Sequence, residues 1–355
     1  MNHIDNLAAH LQQGEALLIT ADHSRRYLTG FPSTAGLVLI TPDDACFMTD
    51  FRYIEAAQSK ITSMDARMYR KQKEAVDEYC KAHNVTRVYV EGSQMPLSDM
   101  ADWEKALPTI EFVKDNSLDN WLQAERIIKT PAELAGIKQA QALTEYGFDQ
   151  IIKTIRAGRT ERDVALELEW HIRKQGAEGV AFDFIVVSGA NGALPHGVPS
   201  DKVIEEGDFI TMDFGARVDG WHSDMTRTVA VGKVSDHQRE IYNLVLQAQL
   251  ASLATLKEGV LCREADAAAR DIITAAGYGD QFGHGTGHGV GVEIHEVPTV
   301  SFSAGETRLQ AGNVVTVEPG IYLPGKFGVR IEDMAYITPN GCENLTSSPK
   351  ELIEL

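Results

Sequence analysis

The tightest constraint on this chain is the segment FITMDFGARVDGWHSDMTRTVAVG, residues 209–232. It reads as two β-strands joined at Asp219-Gly220, a pair favoured in two-residue hairpin turns. Such a turn sets Val218 opposite Trp221, hence Asp213 opposite Thr226 and Asp224 opposite Gly215. Side chains alternate along a strand, so Asp213 and Asp224 become diagonal neighbours on one face. Two carboxylates there, among Phe209, Ile210, Phe214, Val229 and Val231, repel each other and resist desolvation. A cation between them removes both costs, and Gly215 is expected to leave the space above Asp224 empty. The competing arrangement is a solvated face bearing Thr211, Arg217 and Ser223, with the aspartates paired to arginine.

A second hairpin repeats the oddity. In VVTVEPGIYLPGKFGVRIEDMAYI, residues 314–337, a turn centred on Gly325 sets Glu318 opposite Glu332. Like charges directly opposite destabilise a ladder, so these acids also ask for a counter-ion. Arg330, on the same face as Glu332, could centre a salt-bridge network instead. Between the hairpins lies HGTGHGVGVEIH, residues 284–295, whose glycines argue against a helix. Four carboxylates with one imidazole are too oxygen-rich for structural zinc and too acidic for copper; they suit a pair of manganese, cobalt, zinc or iron ions sharing carboxylates. Two such ions lower the pKa of water and clamp a carbonyl or phosphoryl oxygen, which is hydrolytic chemistry. The bond to be hydrolysed stays open at this point.

The remaining sequence bounds the setting. With 355 residues, the chain exceeds what one core usually supports, so two domains are expected. Lys and Arg total 33 against 51 Asp and Glu, a formal charge of -18, which argues against nucleic acid or an anionic membrane as partner. The opening MNHIDNLAAHLQQGEALLIT is polar where a signal peptide is apolar, and no apolar run reaches the roughly 18 residues of a membrane span, so a cytoplasmic protein is expected. Cys46, Cys80, Cys262 and Cys342 are scattered, without a CxxC pair, and read as free thiols. Residues 1–122 alternate short β-rich runs (ALLIT, GLVLIT, ACFMTD, RVYVEG) with helical ones, a compact α/β module. From residue 126 the pattern changes. Thr130, Pro131 and Glu133 form a helix start, with Gly158 as the expected C-cap; further helices start at Thr160 and Ser235. Residues 126–355 therefore read as an α+β domain, a curved antiparallel sheet backed by helices.

The order Asp213, Asp224, His288, Glu318, Glu332, set in MDFGA, SDMTRT, GHGTGHGVG, VEPGIY and RIEDM, resembles the pita-bread-fold metallopeptidases, which include methionine aminopeptidase, aminopeptidase P and prolidase. RYLTGFPSTAGLVLIT and TDFRYIEAA resemble the smaller creatinase-type amino-terminal domain of the aminopeptidase P and prolidase branch. The resemblance implies two divalent metal ions, manganese first, with Asp213, Asp224 and Glu332 shared and His288 and Glu318 completing one site. It also implies Glu318 as general base toward a metal-bridging hydroxide, His196 and His295 as catalytic histidines, and His284, Tyr322 and Arg330 as the walls of a proline pocket. The implied activity is exopeptidase cleavage between an N-terminal residue and proline, as an Xaa-Pro aminopeptidase or dipeptidase, by a homodimer. A tertiary Xaa-Pro amide has no N–H, so the enzyme must fit the ring. The rivals are a non-catalytic peptide- or protein-binding member of the fold and a metal-free relative of the creatinase type. Loss of a ligand would favour either, and all five are present.

Overall fold

The computed structural model describes residues 2–355, which divide into two compact units, one closing at Arg126 and the other spanning Ile127–Leu355. In the first, six strands line up in the order Asp65–Met68, Ala45–Thr49, Leu37–Ile40, Glu15–Ile19, Arg87–Val90, Glu111–Val113. Leu37–Ile40 runs antiparallel to both neighbours, and the other pairings are parallel. Ala16 and Leu18 pack with Val88 and Trp103 on one face, while Leu17 and Ile19 pack with Phe47 and Leu118 on the other. Burial on both faces is why ALLI is an unbroken apolar run rather than an alternating one.

The second unit is α+β, with antiparallel strands in four hydrogen-bonded patches. Its first helix, Pro131–Ile151, has Thr130 and Glu133 closing the capping box. It ends well before Gly158, against expectation. Gly158 is left-handed, with φ 91°, and donates its amide to Ile204 O at 2.9 Å, so it shapes the following loop instead of capping the helix. Helices Glu161–Lys174 and Asp236–Thr255 start on Thr160 and Ser235 as anticipated. A further helix, Cys262–Ala275, buries Cys262, Ala265, Ala269 and Ile273 on one stripe.

Both hairpins take the expected register, and each is interrupted at an acid, the first at Asp224 and the second at Glu318 and Glu332. Asp213 pairs with Thr226, and beyond a break Val218 pairs with Trp221. Gly320–Leu323 pairs with Phe327–Arg330, and Val317 pairs with Asp333 on the far side of Glu318 and Glu332. Pro319, which lacks an N–H, sits in that second gap. Backbone groups freed at the gaps join one segment to another: Glu332 N donates to Thr226 O at 3.1 Å and Glu318 N to Thr286 O at 2.7 Å. Gly215 does not leave open space as expected. A Cβ there would lie 1.8 Å from Ser223 O, so glycine is required by close backbone approach.

Alternation then separates two faces. Ile210, Met212 and Phe214 pack under Phe148, Ile151 and Leu168. Ile321, Val329 and Ile331 pack under Ile241, Val245 and Ile273. Asp213, Arg330 and Glu332 are left on the opposite face.

Candidate active site

All ten residues singled out from the sequence line one cavity of about 630 Å³: His196, Asp213, Asp224, His284, His288, His295, Glu318, Tyr322, Arg330 and Glu332. Ligand atoms of Asp224, His288 and Glu332 lie within 4.8 Å of one another. His288 Nε2 is 3.5 Å from Asp224 Oδ2 and 3.3 Å from Glu318 Oε1. Its other nitrogen, Nδ1, is 3.0 Å from Gly289 O. A carbonyl only accepts, so Nδ1 carries the proton; burial holds the ring's pKa below its ordinary value and keeps it neutral. Nε2 therefore turns a lone pair toward two carboxylates. That geometry is repulsive without a cation and fits one.

The acids tell the same story. Burial, then the charges of Glu332, Asp213 and Glu318, push Asp224 well above the usual carboxylate range. Burial, then Glu318 and Asp213, does the same to Glu332, and burial raises Glu318. Asp213 Oδ1 and Asp224 Oδ1 are buried without a hydrogen-bond partner. Other oxygens are held by hydroxyls: Thr226 Oγ1 donates to Glu332 Oε2 at 2.7 Å and Thr316 Oγ1 to Glu318 Oε1 at 3.1 Å. Such donors fix a carboxylate's direction before it ligates.

The arginine alternative is realised for one acid only. Arg330 Nη2 donates to Asp213 Oδ2 at 2.6 Å, while Arg217 pairs with Glu178. One guanidinium cannot neutralise four carboxylates, and Asp224 and Glu332 are left to another cation. Arg330 Nη1 also donates to Tyr322 Oη at 2.8 Å. Tyr322 Oη lies 2.9 Å from His284 Nε2, and His284 Nδ1 lies 2.7 Å from Gly285 O. Nδ1 thus holds the His284 proton, and Tyr322 donates to Nε2. His295 stacks edge-on against His288, ring centroids 4.4 Å apart, and both His295 and His196 are exposed. The sequence reading missed the apolar wall of Phe182, Phe184, Ile185, Val198 and Ile294. The signal for it is the alternation in FDFIVV, which turns Phe182 and Phe184 toward one side.

Antiparallel strands presenting a convergent Asp, His and Glu cluster in a cavity form a site able to hold a divalent cation, the kind that metal-dependent hydrolases use. The comparisons sharpen that class. Residues 135–339 match metallopeptidase family M24, and residues 5–128 match the creatinase/prolidase N-terminal domain. An Xaa-Pro dipeptidase of Pyrococcus horikoshii is 38% identical over 340 residues, covering 96% of this chain and 94% of the relative. The structure of an Xaa-Pro dipeptidase from Bacillus anthracis superposes with TM-score 0.95 at 44% identity, covering 99% of each chain. That of an X-Pro aminopeptidase from Thermotoga maritima gives TM-score 0.92 at 36% identity, covering 99% of this chain and 100% of the other. The chain belongs to metallopeptidase family M24, in its aminopeptidase P and prolidase branch.

Proposed function

We propose that the chain is a metal-dependent exopeptidase that hydrolyses the bond between an N-terminal residue and proline. The observation that carries the proposal is the convergence of Asp224, His288 and Glu332, with a buried, unpartnered Asp224 oxygen beside them. The relatives named Xaa-Pro dipeptidase and X-Pro aminopeptidase supply the substrate class. Asp213, Asp224 and Glu332 would be shared between two divalent ions, with His288 and Glu318 completing one site. When bound, the ions supply Lewis acidity that polarises the scissile carbonyl and acidifies water.

The remaining work falls to side chains. Glu318, raised by burial, accepts a proton from the attacking water as its oxygen bonds to the carbonyl carbon. The same proton passes to the proline nitrogen as the C–N bond breaks. His295 and His196 donate hydrogen bonds to the developing oxyanion. His284 and Tyr322, hydrogen-bonded to each other and with Arg330 donating to the tyrosine oxygen, frame the proline ring. The apolar wall of Phe182, Phe184 and Ile294 accepts the side chain before proline.

The test compares Ala-Pro, Ala-Pro-Ala and Ala-Ala after reconstitution with manganese, cobalt, zinc or iron. The proposal expects cleavage of the proline substrates in preference to Ala-Ala, and the ratio of the first two decides between dipeptidase and aminopeptidase. No turnover of either proline substrate with any ion refutes it and favours a non-catalytic binding role.

A further inference from the structure

The segment 282–296 carries His284, His288 and His295 on a glycine-rich backbone that is intrinsically loose. Two ion pairs, one half-buried and one buried, grip its ends, and none of their four residues lines the cavity. At the first end, Asp266 is fully buried on helix Cys262–Ala275. Its Oδ1 accepts from Thr286 N at 3.0 Å and Thr286 Oγ1 at 2.8 Å. Arg270, one turn on, donates to both Asp266 oxygens at 2.7 and 2.9 Å. It also donates to Phe282 O at 2.8 Å and His284 O at 2.6 Å. Its guanidinium lies 4.1 Å from the Phe282 ring centroid and 4.8 Å from that of Phe302.

At the second end, Glu296 Oε1 accepts from Val292 N at 3.1 Å and Glu293 N at 3.2 Å. Its Oε2 takes Lys129 Nζ at 2.9 Å, with side chains 1% and 4% exposed. The backbone wraps the carboxylate so closely that a Cβ on Gly291 would lie 2.3 Å from Glu296 Oε2. Lys129 is itself tied by its amide to Gly312 O at 2.8 Å. A buried carboxylate is costly to desolvate and its ion pair adds little stability over apolar packing, so the use of Asp266 and Glu296 at the two ends points to geometry.

We infer that Asp266–Arg270 and Lys129–Glu296 are positioning residues that hold the segment's two ends and aim His284 and His295 independently. The inference rests on the exopeptidase reading above. Arg270 grips His284 O, and that ring meets Tyr322, so releasing this end loosens the proline subsite. Glu296 adjoins His295, so releasing that end misplaces the oxyanion donor.

The experiment measures kcat, KM, bound metal per chain and thermal midpoint for Arg270→Met and for the charge-balanced double variant Lys129→Met/Glu296→Gln, each beside its conservative counterpart, Arg270→Lys or Lys129→Arg. Arg270→Met should raise KM for an Xaa-Pro substrate about tenfold with kcat within about twofold; the double variant should lower kcat about tenfold with KM within about twofold. Bound metal should stay at the wild-type level, and Lys129→Arg should recover most of kcat. Parallel loss of kcat, substrate affinity, metal and thermal midpoint in both, or no change in either, overturns the inference. Should wild type cleave no Xaa-Pro bond, the exopeptidase reading fails, and imidazole NMR decides this one separately. Arg270→Met must then shift the His284 signals and spare those of His295, with the converse in the double variant; any other pattern overturns it.

Discussion

Asp224 concentrates the energetic problem of the site in one side chain. One oxygen faces the His288 lone pair at 3.5 Å and the other is buried without a partner. Asp224→Asn should therefore reduce turnover by about a thousandfold or more, while the metal-free variant melts no lower than metal-free wild type, because a costly buried charge has gone. Thermal melts of chelated protein beside activity assays check both. The acid cluster also sets a pH dependence. Asp224, Glu332 and Glu318 have folded-state pKa values raised above the ordinary range. Raised acids bind more protons folded than unfolded, so their stabilisation is present below the ordinary carboxylate pKa and lost as pH rises through the raised values. Bound metal replaces those protons, so the metal-induced rise in melting temperature should grow from about pH 5 to about pH 8. A shift independent of pH contradicts the assignment. These acids were legible because they interrupt apolar strands. The Arg330–Asp213 bond was not, since it joins two hairpins whose mutual placement alternation within one strand does not reveal.

At the scale of elements, hairpin register was readable because Asp219-Gly220 and Gly325 fix where each turn falls, with φ 49°, 88° and 71° at these three residues. What turn chemistry does not announce is a ladder breaking and its backbone groups bonding elsewhere, as Glu318 and Glu332 do. Gly158 misled for a related reason: a left-handed glycine marks a bend without saying which element it ends. Close approach between strands gives a direct test. A Cβ on Gly287 would lie 2.0 Å from Thr316 O, whereas Gly341 has nothing within 4 Å. Gly287→Ala should cost about 3 kcal/mol or more and weaken metal binding through its neighbour His288, with Gly341→Ala near neutral. Urea unfolding resolves the two, and equal midpoints would contradict this account of the strand crossing.

For the whole molecule, the two units own separate cores: Leu18, Val88 and Trp103 lie in one, Phe148, Met212 and Phe214 in the other. The change of fold class along the chain was visible as a switch from strand-helix alternation to boxed helices followed by long hairpins. The edge strands Asp65–Met68 and Glu111–Val113 are not legible in the sequence because they are only four and three residues long. All proposed ligands lie in the second unit, so calorimetry should show metal raising the transition of that unit, by about 2.7 kcal/mol at a free concentration a hundredfold above Kd. The most direct test of the central claim is a metal titration of chelated protein with turnover of an Xaa-Pro peptide followed at each point. Activity should rise with occupancy and saturate at two ions per chain in wild type, with both responses lost in Asp224→Asn. Full turnover in chelated protein, or wild type that binds no ion and cleaves nothing, would contradict it.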